Sequence, residues 1–280
     1  ALSRGLSAMD TGSSLKAVVE TVKYLEDDPQ FNSGTGACLD FKGLVTMDAA
    51  VMNWNDLKAG AVANIRDVRH PIVVARDVME STDHVLLGGE GAVEFAHLMG
   101  HEPFDPITED RRSQYNSRKQ QFLDGESSVS LPKLKRLTEE HPVLLGGSVG
   151  AGAVDSDGQP AAATSTGGVF LKWPGRIGDS PLIGSGTYAS PDVAVSATGR
   201  GESIIRFSLA RRIAEEVARG SNLSDGSDRV LKKMSEVIGD YVGLIAVDAG
   251  GDIGVNHLTK RMPHGLITSE GRREIALSTD

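Results

Sequence analysis

The stretch Gly147-Ser148-Val149-Gly150-Ala151-Gly152-Ala153-Val154-Asp155, with its return from Pro160 to Thr166, decides the fold. The alternation V-G-A-G-A-V predicts a strand, Ser156-Asp157-Gly158 a turn, and Pro160 to Thr166 a second strand of small residues. A hydroxyl residue heads the first strand, directly behind the Gly146-Gly147 pair. A hydroxyl in that position suits self-cleavage, because it can attack the peptide bond before it. Cleavage then frees an α-amine beside the nucleophile, and with an ordinary pKa of about 7.7–8.0 that amine can serve as its base.

Outward from this hairpin, Leu15, Val18, Val19, Val22 and Leu25 fall at helical spacing and predict an amphipathic helix over 13–26. Residues 31–52 read as strand and turn. His70-Pro71 opens a further helix through Met79, and another covers 91–99. From 108 to 140 the chain turns polar and charged with little apolar period, which predicts a mobile surface segment rather than core. Ile205, Leu209, Ile213 and Val217 mark one face of a single helix over 202–219. Residues 241–248 and 253–258, joined by Ala249-Gly250-Gly251-Asp252, read as a late hairpin. Strands flanked by helices in this order predict a layered α/β fold.

Four blocks carry a family resemblance. They are Leu25-Glu26-Asp27-Asp28-Pro29-Gln30-Phe31-Asn32-Ser33-Gly34-Thr35-Gly36 and Val45-Thr46-Met47-Asp48-Ala49-Ala50-Val51-Met52. Next come Thr164-Ser165-Thr166-Gly167-Gly168 with Gly175-Arg176-Ile177-Gly178-Asp179-Ser180-Pro181, and then Ala197-Thr198-Gly199-Arg200-Gly201-Glu202. In this order the chain resembles the plant-type L-asparaginase / isoaspartyl aminopeptidase family of N-terminal-nucleophile hydrolases. The resemblance implies a four-layer αββα sandwich as one domain, 1–280. Self-cleavage between Gly147 and Ser148 would give an α piece, 1–147, whose 108–147 end is a mobile linker, and a β piece, 148–280. Two departures stand out. The family nucleophile is threonine where this chain has Ser148, and the family's opening strand with its His-Gly-Gly turn has no counterpart ahead of the first helix.

The same resemblance assigns roles. Ser148 is the nucleophile, Thr166 orients it, Asn32 helps position it, and Thr198 with the Gly199 N–H stabilises the oxyanion. Donors aimed at developing charge are often the largest catalytic effect. Arg176 and Asp179 would hold the α-carboxylate and α-ammonium of a zwitterionic substrate, with Gly199 and Gly201 admitting the ligand close to the backbone. The substrates implied are L-asparagine, hydrolysed to L-aspartate and ammonia, and β-aspartyl dipeptides. No cofactor is expected for catalysis. A structural Na+ or K+ would sit among the main-chain carbonyls of Leu25, Glu26, Asp28, Phe31, Ser33 and Thr35, since oxygen-only ligation suits a hard cation. Assembly is expected as a dimer of α/β pairs, a heterotetramer.

Threonine's γ-methyl restricts χ1 and serine lacks it, so Ser148 is expected to spend time misaligned, at a cost of about 1 kcal/mol. That predicts slow but real self-cleavage and hydrolysis, both accelerated in Ser148→Thr and abolished in Ser148→Ala.

Rival readings are weaker. Gly146-Gly147-Ser148-Val149-Gly150 satisfies the G-x-S-x-G elbow, with His257 or His264 as triad histidine, but the elbow demands a helix after the serine and a strand pattern follows. Asp155-Ser156-Asp157-Gly158 begins like a calcium loop without its later ligands. His84, His97 and His101 show no metal spacing. Glycosylasparaginase fits poorly with a single cysteine, and the intact G-R-I-G-D favours free amino acids over the protein substrates of a taspase-like endoprotease. The competing class is an unprocessed relative, weakly active or non-enzymatic, that keeps the amino-acid pocket.

Composition bounds the rest. The 280 residues carry a net charge of -9, which argues against nucleic-acid binding. A mean hydropathy of -0.17 fits a soluble globular chain, expected to be cytoplasmic, with no run able to span a membrane. Cys38 alone excludes an intrachain disulfide.

Overall fold

The computed structural model describes residues 1–10, 12–123 and 147–278. Two helices, α1 (Leu2–Asp10) and α2 (Ser14–Asp27), precede the first sheet. The Ser13 hydroxyl caps α2 by accepting the Lys16 N–H, and Val18, Val19 and Val22 form its buried face. The hairpin β1 (Met47–Asn53) and β2 (Ala59–Ile65) is followed by α3 (Pro71–Ser81), which Pro71 opens at its first turn. Then come β3 (Leu86–Gly88), α4 (Gly89–Leu98) and α5 (Glu109–Leu123).

The small-residue hairpin forms as its alternation predicts: β4 (Val149–Val154) pairs antiparallel with β5 (Pro160–Thr166), placing Val149 opposite Ser165. A strand after Ser148 removes the elbow reading. β5 also pairs with β1, and the first sheet runs β3-β2-β1-β5-β4. The second sheet is built from β6 (Thr187–Ala189), β7 (Val193–Gly199), β8 (Val242–Asp248) and β9 (Ile253–His257), in chain order. The late hairpin is therefore present as read. Between β7 and β8 lie α6 (Gly201–Phe207), α7 (Leu209–Ala218) and α8 (Leu223–Ile238); β10 (His264–Ile267) and β11 (Arg273–Ala276) form a separate ribbon.

The two sheets face each other, β4 and β5 against β6, β7 and β8. Helices α2 and α3 cover the outside of the first sheet, and α7 and α8 the outside of the second. The layers run αββα. One core cluster joins α2, α3, β1 and β2 through Val22, Met47, Val62 and Ile72. A second joins β7, β8, α7 and α8 through Val195, Leu244, Ile213 and Met234.

Two expectations are corrected. Residues 202–219 form two helices, because Ser208 adopts left-handed backbone (φ 53°, ψ 52°) and ends the first. Arg212 Nε takes up the Phe207 carbonyl freed at the break (2.7 Å). Residues 109–123, expected as mobile surface, are helix α5. Among its contacts, the Tyr115 hydroxyl donates to the Phe41 carbonyl (3.2 Å), Phe122 packs edge-on against Phe41, and Arg118 lies over the Phe170 ring (4.0 Å). Aromatic and cationic side chains do here what aliphatic ones usually do, so no apolar period marks the helix. The rest of that expected segment, 124–146, lies outside the described residues.

Candidate active site

The site gathers where β4 begins and β5 and β7 end. Ser148 stands one residue before β4, and its backbone N–H donates to Thr198 Oγ1 on β7 (3.1 Å). The scissile amide predicted at 147–148 therefore lies against the predicted oxyanion residue. The Ser148 hydroxyl lies 3.2 Å from that of Ser180, which is fully buried. Ser148, Thr166, Gly168, Val169, Arg176, Asp179 and Gly199 line one small cleft. Thr166 is buried in its wall, its Oγ1 accepting the Gly168 N–H (3.0 Å). Among the described residues no hydrogen bond joins Thr166 to Ser148.

Asn32 sits behind the cleft. Its Nδ2 donates to the Gly168 carbonyl (2.7 Å), its Oδ1 accepts from the Cys38 N–H (2.8 Å), and its own carbonyl accepts from Gly167 (2.7 Å). The Gly167-Gly168 turn that shapes the floor is thus tied to the loop after α2. Buried Lys172 holds the same turn, donating to the Gly167 and Thr46 carbonyls (2.8 and 2.6 Å). Burial pushes its ammonium pKa down.

Arg176 and Asp179 flank Gly201. A β-carbon there would stand 2.8 Å from Arg176 Nη2 and 2.9 Å from Asp179 Oδ1. Glycine at 201 keeps both groups reachable. The ion-pair partner of Arg176 is Glu202, which it grips with Nε and Nη2 at 3.0 Å each. Burial acts to lower the guanidinium pKa, but the Glu202 hydrogen bond and charge outweigh it and the net direction is up. Asp179 is buried, and among the described residues its Oδ2 has no hydrogen-bond partner. Burial drives its carboxyl up to about 7, against the pull of Arg176 and with a smaller push from Asp48. Such a group is primed for an ammonium. Asp48 fixes the neighbouring backbone, accepting from Gly178 (3.0 Å) and Asn64 (2.7 Å).

Gly199 ends β7 at φ 135°, where a β-carbon would lie 2.6 Å from the Tyr241 carbonyl. This is backbone that only glycine adopts without strain. The residues 25–35 named for the cation lie on the far side of β5. There the Ser165 hydroxyl donates to Glu26 Oε1 and meets the Ser33 hydroxyl, both at 2.6 Å. Arg111 of α5 reaches over the same loop, donating to the carbonyls of Gly36 (2.6 Å), Gln30 (3.3 Å) and Phe31 (3.4 Å).

Sequence reading missed Ser180, Lys172, Asp48, Glu202 and Arg111. Asp48 left one trace, an acid inside the apolar run M-D-A-A-V-M. Ser180 and Glu202 sat inside quoted blocks without a role, and Lys172 and Arg111 left no local signal.

The chain is also similar to known proteins. A family model described as Asparaginase matches residues 1–277. The chain is 46% identical over 271 residues to the plant-type L-asparaginase of Pyrococcus furiosus, covering 96% of this chain and 88% of that one. It is 47% identical over 264 residues to the plant-type L-asparaginase of Pyrococcus horikoshii, covering 94% and 86%. Against the isoaspartyl peptidase of Salmonella typhimurium it is 42% identical over 257 residues, covering 89% and 79%.

Proposed function

The chain belongs to the asparaginase family, and from that premise we propose how its residues carry out the reaction. The protein is an enzyme, an asparaginase-type amidohydrolase acting on L-asparagine and β-aspartyl substrates. The observation that carries the assignment of roles is the shared cleft of Ser148, Arg176 and Asp179. A nucleophile stands there beside one group for a carboxylate and one for an ammonium.

Activation comes first. Ser148 Oγ attacks the Gly147 carbonyl carbon, its proton passes to the Ser148 nitrogen and the C–N bond breaks, leaving an ester on Ser148 Oγ and a free Ser148 amine. Water hydrolyses the ester, giving an α piece ending at Gly147 and a β piece beginning at Ser148. In the mature site Asp179 holds the substrate ammonium and Arg176 its α-carboxylate. The Ser148 amine takes the hydroxyl proton as Oγ adds to the side-chain carbonyl. Thr198 and the Gly199 N–H carry the oxyanion, and the amine returns the proton to the departing ammonia or amino acid. Water then releases aspartate from the β-aspartyl ester by the reverse proton path.

The loop of Leu25, Glu26, Asp28, Phe31, Ser33 and Thr35 suits a structural alkali cation. Its donors are neutral main-chain carbonyls, the oxygen ligands that a hard cation prefers. Such an ion would stiffen the loop that carries Asn32. Assembly is as a dimer of α/β pairs, which light scattering tests; the mass of a single pair refutes it.

Denaturing electrophoresis with mass spectrometry tests the central reading. Pieces ending at Gly147 and beginning at Ser148, with Ser148→Ala remaining one uncleaved chain, are the expected result. A protein that releases neither ammonia from L-asparagine nor an amino acid from β-aspartyl dipeptides refutes it.

A further inference from the structure

We propose that Ser180 is a further catalytic residue, whose hydroxyl holds Ser148 Oγ in the attacking rotamer and so replaces the constraint that a threonine methyl would supply. The proposal rests on Ser148 being the nucleophile. Serine has three accessible χ1 wells, and nothing on its own β-carbon selects among them. Among the described residues, the one hydrogen bond made by the Ser148 side chain is the 3.2 Å contact with Ser180 Oγ.

Ser180 is well placed to impose an orientation. Its side chain is fully buried, so its hydroxyl has no solvent to turn to. Its backbone is fixed from both sheets. Thr187 Oγ1 on β6 donates to the Ser180 carbonyl (2.9 Å) and lies 2.7 Å from Thr164 Oγ1 on β5, which lies 2.7 Å from Ser196 Oγ on β7. The adjoining turn is closed by the Leu182 and Gly186 N–H groups, which donate to the Asp179 carbonyl (3.0 and 3.1 Å). A donor-acceptor anchored to three strands therefore faces a side chain anchored at its backbone by Thr198. One such hydrogen bond favours its rotamer by about three- to tenfold.

The two constraints are redundant, and redundancy is measurable. A methyl at position 148 and a hydroxyl at position 180 act on the same torsion, so removing one matters less when the other is present. The experiment compares the parent, Ser180→Ala, Ser148→Thr and the double variant, following self-cleavage rate, kcat and KM for L-asparagine. Ser180→Ala should slow self-cleavage and kcat about three- to tenfold with KM nearly unchanged, since only the step from bound substrate is affected. In the Ser148→Thr background the same change should cost less than about twofold. Equal losses in both backgrounds, or no loss in the serine background, overturn the proposal.

Should Ser180→Ala fail to fold, Ser180→Cys keeps the side-chain size close and only a weak donor. It should show the same dependence on background in reduced form, and its absence is equally refuting. A crystal structure of either variant should show Ser148 Oγ in more than one rotamer, and a single unchanged rotamer counts against the idea. Ser148→Ala separates the two levels of inference: if it still splits at Gly147, the nucleophile assignment itself fails, whatever Ser180 does.

Discussion

Asp179 should give substrate affinity a steep dependence on pH. Its carboxyl is raised by burial to about 7, and among the described residues its Oδ2 has no hydrogen-bond partner. A bound α-ammonium needs the ionised form, so below pH 7 each binding event must first release a proton. One pH unit below that value, about nine-tenths of the free sites are protonated and affinity falls about tenfold, or ~1.4 kcal/mol. At saturation the ammonium itself keeps Asp179 ionised, so kcat should not share this step. L-aspartate, as a competitive inhibitor whose own groups do not titrate between pH 5 and 8, reads the effect as an equilibrium constant. Its inhibition constant should rise about tenfold per unit as pH falls from 7 towards 5. The Ser148 amine also titrates near the site, but protonating it would favour an anionic ligand and so acts with the opposite sign. Asp179→Asn isolates the carboxylate: the variant should bind weakly and without the acid-side loss. An inhibition constant that is flat from pH 5 to 8 in the parent, or equally steep in Asp179→Asn, refutes the reasoning.

Other changes follow from the same geometry. Because the folded pKa of Asp179 is raised, its contribution to stability is present at low pH and lost as pH rises through about 7. Asp179→Asn should therefore raise the unfolding free energy by about 1–3 kcal/mol at pH 8, and by less at pH 5, in denaturant titrations. Arg111→Ala removes three bonds to loop carbonyls and should cost about 1–3 kcal/mol, with a fall in kcat because Asn32 rides on that loop; an unchanged midpoint would show that α5 does not fasten the loop. Gly199→Ala forces a side chain into φ 135° and against the Tyr241 carbonyl, so self-cleavage should be lost and stability should fall by more than about 1 kcal/mol. A variant that matures at the parent rate would contradict that.

The hairpin at 149–166 was legible because its period is two and its turn residues are explicit, and α2 because its valines repeat at helical spacing. Helix α5 was not, since its packing is carried by two aromatics seven residues apart, Tyr115 and Phe122, and two arginines, Arg111 and Arg118, too few apolar positions to set a period. The break at Ser208 was equally hidden: the apolar stripe continues through it, and only the left-handed backbone interrupts the helix. At the site, residues with family roles stood out, whereas Ser180, Lys172 and Glu202 act across long sequence separations. Lys172 reaches Thr46 from 126 positions away, and no local pattern encodes that. Arg176 stood out in G-R-I-G-D as a candidate carboxylate clamp, whereas its ion pair with Glu202 was not legible.

The small residues that identify the strands also create the site. A β-carbon on Gly150 would overlap the Ser196 hydroxyl, one on Gly152 would reach Val247, and Ala162 packs directly on Ala194 and Val247. With so little side chain between them, β4, β5 and β7 approach closely enough for their ends to share one cleft. Ser148, just before β4, then meets Thr198 near the end of β7, and Thr166 at the end of β5 lines the same space. The alternating glycine and alanine of V-G-A-G-A-V thus have two consequences from one cause. They set the period that makes the segment a strand, and they leave room for hydroxyls from opposite sheets to hydrogen-bond, as Thr164 and Ser196 do. Ordinary β-branched strand residues would keep the period and forfeit the contact. Fold and chemistry are therefore specified by the same positions, which is why a short stretch beginning at Gly147 says so much about both.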